Sequence, residues 1–61
     1  MRITLNGTTT PVSGPTTIAD LVGARRGIAV ALNGEVLPRD GYRRLLSEGD
    51  EVEIVTAVQG G

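Results

Sequence analysis

The chain has 61 residues, six basic against seven acidic, and a formal charge of -1, which bounds it to one small domain and gives none of the basic excess that nucleic-acid binders carry. It contains no cysteine and no histidine, which excludes disulfide stapling, thiolate or imidazole metal sites, and a Cys or His nucleophile. All six basic residues are arginine, so no side chain accepts an isopeptide bond or forms a Schiff base.

A domain of this size hides only about 60% of the surface its unfolded chain exposes, which leaves little room for a deep catalytic pocket. The opening residues Met1–Asn6 hold too short an apolar run for a signal peptide. No stretch approaches the roughly 20 apolar residues of a membrane span. A soluble, cytoplasmic protein is the expectation.

Met1, Ile3 and Leu5 alternate with Arg2 and Thr4, the period of a half-buried strand. Asn6-Gly7 is a hairpin signal, because both residues tolerate positive φ. Thr8 to Thr10 with Val12 reads as the returning strand, and Pro11 argues for an edge position. Thr17 followed by Asp20 fits a capping box, and Ile18, Leu21 and Val22 share one face of a short helix of roughly two turns. Gly23 and Gly27 bracket its end, with Arg25 and Arg26 suited to the negative pole. Ile28–Leu32 and Glu35–Leu37 flank a second hairpin signal, Asn33-Gly34. Pro38 to Tyr42 reads as a turn or 3₁₀ piece, Leu45 and Leu46 as core plugs, and Ser47–Asp50 as another turn. Glu51 to Thr56 alternates again, and the chain finishes Ala57-Val58-Gln59-Gly60-Gly61. Hairpin, helix, hairpin, connection and final strand suit an α+β domain over residues 1–61. It would be a β-grasp, ubiquitin-like mixed sheet of four to five strands with one short helix across one face, and 57–61 would form a tail.

Three segments carry a family resemblance: Ala31-Leu32-Asn33-Gly34-Glu35-Val36-Leu37-Pro38-Arg39, Leu46 to Val55 with its Gly49-Asp50 turn, and Val58-Gln59-Gly60-Gly61. With the first strand Arg2–Gly7, they make the chain resemble the ThiS family of thiamine-pathway sulfur carriers over nearly its whole length. The helix and loop from Ile18 to Gly27 are shorter than in many relatives, and Tyr42 stands where tryptophan is common. The resemblance implies a protein co-substrate rather than an enzyme, with no cofactor of its own. A ThiF- or MoeB-like adenylating enzyme would use Mg-ATP to activate the Gly61 carboxylate. Sulfur from a donor such as a cysteine desulfurase would then leave a Gly61 thiocarboxylate for a ThiG-like thiazole synthase. Neither nucleic acid nor membrane is an expected partner.

The residues themselves suit that chemistry. An α-carboxyl with a reference pKa of about 3.3–3.7 is ionised at neutral pH, and adenylation turns an undisplaceable oxygen into a leaving group. Gly60 and Gly61 lack Cβ and so thread a narrow channel. Five residues from Ala57 span roughly 17 Å at 3.3–3.6 Å each. The plainer reading of the Gly-Gly end is a chance glycine pair. If Val30, Leu32, Val52 and Ile54 face the helix, then Ala29, Ala31, Val55, Ala57 and Leu37 make an apolar outer face able to dock a partner, although scattered surface apolar residues are ordinary. Arg39 reads as a pairing group for a partner's acid, as a solvated charge, or as an internal partner of Asp40 or Asp50. Glu48, Asp50, Glu51 and Glu53 read as an acidic patch rather than a metal site, with Asp50 shaping its turn.

Three other functions fit parts of the pattern. A MoaD-type small subunit of molybdopterin synthase shares fold and tail. A ubiquitin-like modifier shares the tail chemistry. A TGS-like binding module shares the fold but needs no Gly-Gly end.

Overall fold

The computed structural model describes residues 1–23 and 27–56. Five strands, β1 (Arg2–Leu5), β2 (Thr8–Pro11), β3 (Ile28–Leu32), β4 (Glu35–Leu37) and β5 (Glu51–Thr56), form one sheet in the order β2-β1-β5-β3-β4. The last strand is therefore the central one. It runs parallel to β1 and antiparallel to β3, so the first and last strands lie side by side in mid-sheet. Pro11 sits on edge strand β2, where a missing N–H costs no ladder bond.

The two Asn-Gly turns set the registers of both hairpins. Asn6 and Asn33 take φ of 50° and 52°, and Gly7 and Gly34 follow at 83° and 86°, the doubly positive pattern of a type I′ turn. Leu5 thereby opposes Thr8, and Leu32 opposes Glu35.

Among the described residues the one α-helix, α1, covers Ile18–Val22 and is capped as the sequence implies: Asp20 N donates to Thr17 Oγ1, and Thr17 N donates to Asp20 Oδ2. Gly23 ends it with φ 62°, so it is shorter than the two turns expected. Arg25 and Arg26, expected at its C-terminal pole, lie outside the described residues. Ile18 and Val22 join Ile3, Val30, Leu32, Leu46 and Val52 in the buried core, with Leu5, Val12, Leu21, Ile28, Leu37, Tyr42 and Ile54 packed against it. Burying a Val, Leu or Ile fully is worth about 1.5–3 kcal/mol, so seven such side chains contribute on the order of 10–20 kcal/mol, which is set against the conformational entropy lost in ordering the chain.

Leu45 corrects one expectation. Leu46 is buried, but Leu45 is 61% exposed. The two neighbours lie in extended chain, where Leu45 forms a bridge with Thr17 and Leu46 N donates to Thr16 O. Successive side chains of extended backbone point opposite ways, so only one can enter the core.

Candidate functional site

The residues of chemical interest lie at and beyond the end of β5. Ala57, Val58, Gln59, Gly60 and Gly61, the expected tail, lie outside the described residues. What the structure fixes is the strand that delivers them and the sheet face beside it.

β5 is gripped from both sides. Toward β3 its pairing runs from Leu32↔Val52 to Ile28↔Thr56. Toward β1 the ladder is short, because β1 stops at Leu5. Each Asn-Gly turn then adds a device that the turn itself does not require. Asn6 N donates to Val52 O at 2.9 Å, and Asn6 Oδ1 accepts from Ile54 N at 2.8 Å. On the other flank, Asn33 N donates to Glu51 O at 2.8 Å, and Asn33 Oδ1 accepts from Glu51 N at 2.9 Å. In both cases the backbone carbonyl is swung away by the positive-φ turn, and the side-chain amide oxygen takes its place in the ladder. Asparagine is thus selected twice over: it tolerates the left-handed conformation, and its side chain carries a peptide-like acceptor. Sequence reasoning treated Asn33-Gly34 as a turn only and missed this clamp.

Asn33 has a further partner. Its Nδ2 donates to Asp50 Oδ1 at 3.2 Å, while Asp50 Oδ2 accepts from Ser47 N at 2.8 Å, so Asp50 shapes its turn as expected and also ties it to the β3–β4 hairpin. Asn33→Asp would keep the turn but replace the donor with a second carboxylate facing Asp50. It is expected to destabilise the fold by about 1–3 kcal/mol, read as a lower urea midpoint. An unchanged midpoint would show that the Asn33–Asp50 bond contributes nothing.

On the outer face of the sheet, opposite α1, apolar residues of β3 and β4 meet Val55 of β5. Ala29 pairs with Val55, and Ala31 pairs with Val36 on one side and Glu53 on the other. None of these belongs to the core, and Val55 is 62% and Val36 81% exposed. Ala29, Ala31 and Val55 therefore lie where the alternation puts them. Leu37 does not. It pairs with Val30, a core residue, and packs against the core from the helix side. A Cβ on Gly41 would come within 3.0 Å of its Cδ1, so the 3₁₀ turn Arg39–Gly41 closes over Leu37. The outward residue of β4 is Val36. Counting two strand residues back from the two-residue turn would have shown it, since Leu32↔Glu35 forces Ala31↔Val36 and Val30↔Leu37.

Glu51 and Glu53 share the outer face, opposite Thr4 and Ala31, and give the apolar patch an acidic border. Glu48 instead accepts from Arg2 N at 3.0 Å. Among the described residues no three acids gather as a metal-binding group, and no helix is long and apolar enough to cross a membrane. Arg39 is exposed and opens the 3₁₀ turn after β4. Since β4 and β5 both run antiparallel to β3, Arg39 lies at the same end of the sheet as the exit of β5.

Comparisons with known proteins agree with this architecture. The ThiS family model matches residues 3–61. Among solved structures, the crystal structure of the thiamine biosynthesis protein ThiS from Geobacter metallireducens is 32% identical, with a TM-score of 0.79 and 100% of each chain covered. No curated protein matches. The mixed five-stranded sheet crossed by one short helix is a β-grasp fold, and the chain belongs to the ThiS family.

Proposed function

We propose that this chain carries sulfur as a thiocarboxylate on Gly61 and delivers it for formation of the thiamine thiazole. Membership of the ThiS family and the full-length likeness to a thiamine biosynthesis protein support the carrier role. The single observation that carries the reading is that the family match runs through the last residue, Gly61, on a chain whose central strand leads directly into that end.

The chemistry proceeds in two displacements and a reductive release. A Gly61 carboxylate oxygen attacks the α-phosphorus of Mg-ATP in the adenylating enzyme, and pyrophosphate leaves. The terminal sulfur of a donor persulfide then attacks the acyl carbon and AMP leaves, and a second thiol cleaves the S–S bond of the adduct, freeing the Gly61 thiocarboxylate and leaving the donor sulfur in a disulfide with that thiol. The chain supplies no acid, base or metal to any of these steps. It supplies the carboxylate and its presentation, so it acts as a co-substrate and its partners are the enzymes. The outer face of Ala29, Ala31, Val36 and Val55, with Glu51 and Glu53 at its border, is the surface we assign to docking. Arg39, at the same end of the sheet as Thr56, is assigned to an acid on the partner. Burial of the apolar patch supplies contact energy, and the acidic border steers a basic partner surface.

The test is reconstitution with a ThiG-like thiazole synthase and, in parallel, with the large subunit of molybdopterin synthase. Sulfur transfer from the activated chain to the thiazole product, and none to the pterin, is expected. Transfer to the pterin alone would assign the chain to the MoaD-type role.

A further inference from the structure

We propose that Asn6 is a positioning residue for the C-terminal tail; the proposal rests on reading Gly61 as the reacting carboxylate. Among the described residues, the bond from Ile54 N to Asn6 Oδ1, 2.8 Å long, is the last hydrogen bond that the β1 side makes to β5. The backbone ladder on that side ends one step earlier, at Asn6 N to Val52 O. Beyond Ile54 the strand is paired only with β3, as far as Thr56. Without the Asn6 amide, the ladder on the β1 side would end at Val52. Residues 53–56 would then hang from β3 alone, like an edge strand, immediately before the tail begins.

The consequence concerns presentation rather than docking. The outer-face side chains that we assign to docking include Ala29, Ala31 and Val36, which belong to the β3–β4 hairpin and do not depend on Asn6. The direction in which β5 ends at Thr56 does depend on it. A reacting group displaced by about 1 Å can lose on the order of a hundredfold in rate. A strand end that swivels about one hydrogen-bonded neighbour displaces the residues that follow Thr56 by more than that.

Three variants separate this role from simple stability. Asn6→Gly keeps the left-handed turn and removes the acceptor. Asn6→Asp keeps both the turn and an acceptor oxygen for Ile54 N. Asn33→Gly removes the matching clamp at the far end of β5, where the Glu51 amide is held, together with the bond to Asp50.

For Asn6→Gly, kcat for adenylation by the activating enzyme is expected to fall about tenfold, with KM for the carrier changing less than kcat, because Ala29, Ala31 and Val36 of the docking face stay in place and only Val55 is loosened. Asn6→Asp should restore kcat. Asn33→Gly, although at least as destabilising by urea, should leave kcat unchanged. In parallel, backbone order parameters of Val55 and Thr56 should drop from the rigid value of about 0.85 toward 0.6 in Asn6→Gly only. Equal losses of kcat in Asn6→Gly and Asn33→Gly, or no rescue by Asn6→Asp, would overturn the proposal. A wild-type chain that is not adenylated at all would sink the functional reading. In that event the order parameters still decide the positioning role: unchanged values at Val55 and Thr56 in Asn6→Gly reject it.

Discussion

Deleting Gly61 is expected to abolish activation while leaving the fold intact. The deletion does not remove the chemistry, because Gly60 then bears the terminal carboxylate. It withdraws that carboxylate by one residue, about 3.3–3.6 Å of chain. Reacting atoms must approach within about 3–3.5 Å, and a misplacement of about 1 Å already costs on the order of a hundredfold. A shift three times larger should leave pyrophosphate release at the enzyme's background rate. Gly61→Ala and Gly60→Ala keep the length but add a Cβ and restrict φ. They should slow adenylation by roughly a hundredfold if the partner's channel is as narrow as a Gly-Gly end implies. The fold should not respond, since its core is assembled from side chains between Ile3 and Ile54. Urea midpoints of all three variants should match the wild type. Adenylation of the deletion variant at the normal rate would place the reacting group elsewhere.

The second large effect should come from Val55→Asp. Val55 is 62% exposed on the outer face, so a carboxylate there is solvated in the free protein and costs the fold little. In a complex that buries this face, the charge is desolvated without a partner, a penalty of about 3–5 kcal/mol. Docking to the activating enzyme should weaken by a hundredfold or more, measured by titration calorimetry, with the isolated domain's melting temperature almost unchanged. Val36→Asp, opposite Ala31 on the same face, should behave alike. Leu37→Asp should do the reverse, unfolding the domain because Leu37 packs against the core. Wild-type affinity in Val55→Asp and Val36→Asp would move the docking surface off the outer face.

The fold was largely legible because local signals agree with one another. The period of two in Glu51–Thr56, the Thr17–Asp20 capping box and the two Asn-Gly turns each point to the element found there. Two kinds of information were not local. The helix length depended on Gly23, whose positive φ stops the helix at Val22, although Arg25 and Arg26 look like helix-end residues. The orientation of Leu37 and Leu45 depended on register, which the alternation pattern fixes only once a turn is counted out residue by residue. The side-chain clamps by Asn6 and Asn33 reach 48 and 18 residues along the chain. No single-sequence pattern encodes a contact at that separation, and an asparagine that is already explained by its turn gives no reason to look for one. The chemical end of the proposed site rests on residue types alone: a glycine pair, and no side-chain nucleophile of the Cys or His kind.

The most direct measurement is the intact mass of the protein after incubation with the activating enzyme, Mg-ATP and a sulfur donor, followed by fragmentation to locate the change. A mass gain equal to one oxygen replaced by sulfur, confined to Gly61, is the predicted result. An unchanged mass with an enzyme shown to be active on another carrier, or a sulfur located on any other residue, would contradict the account.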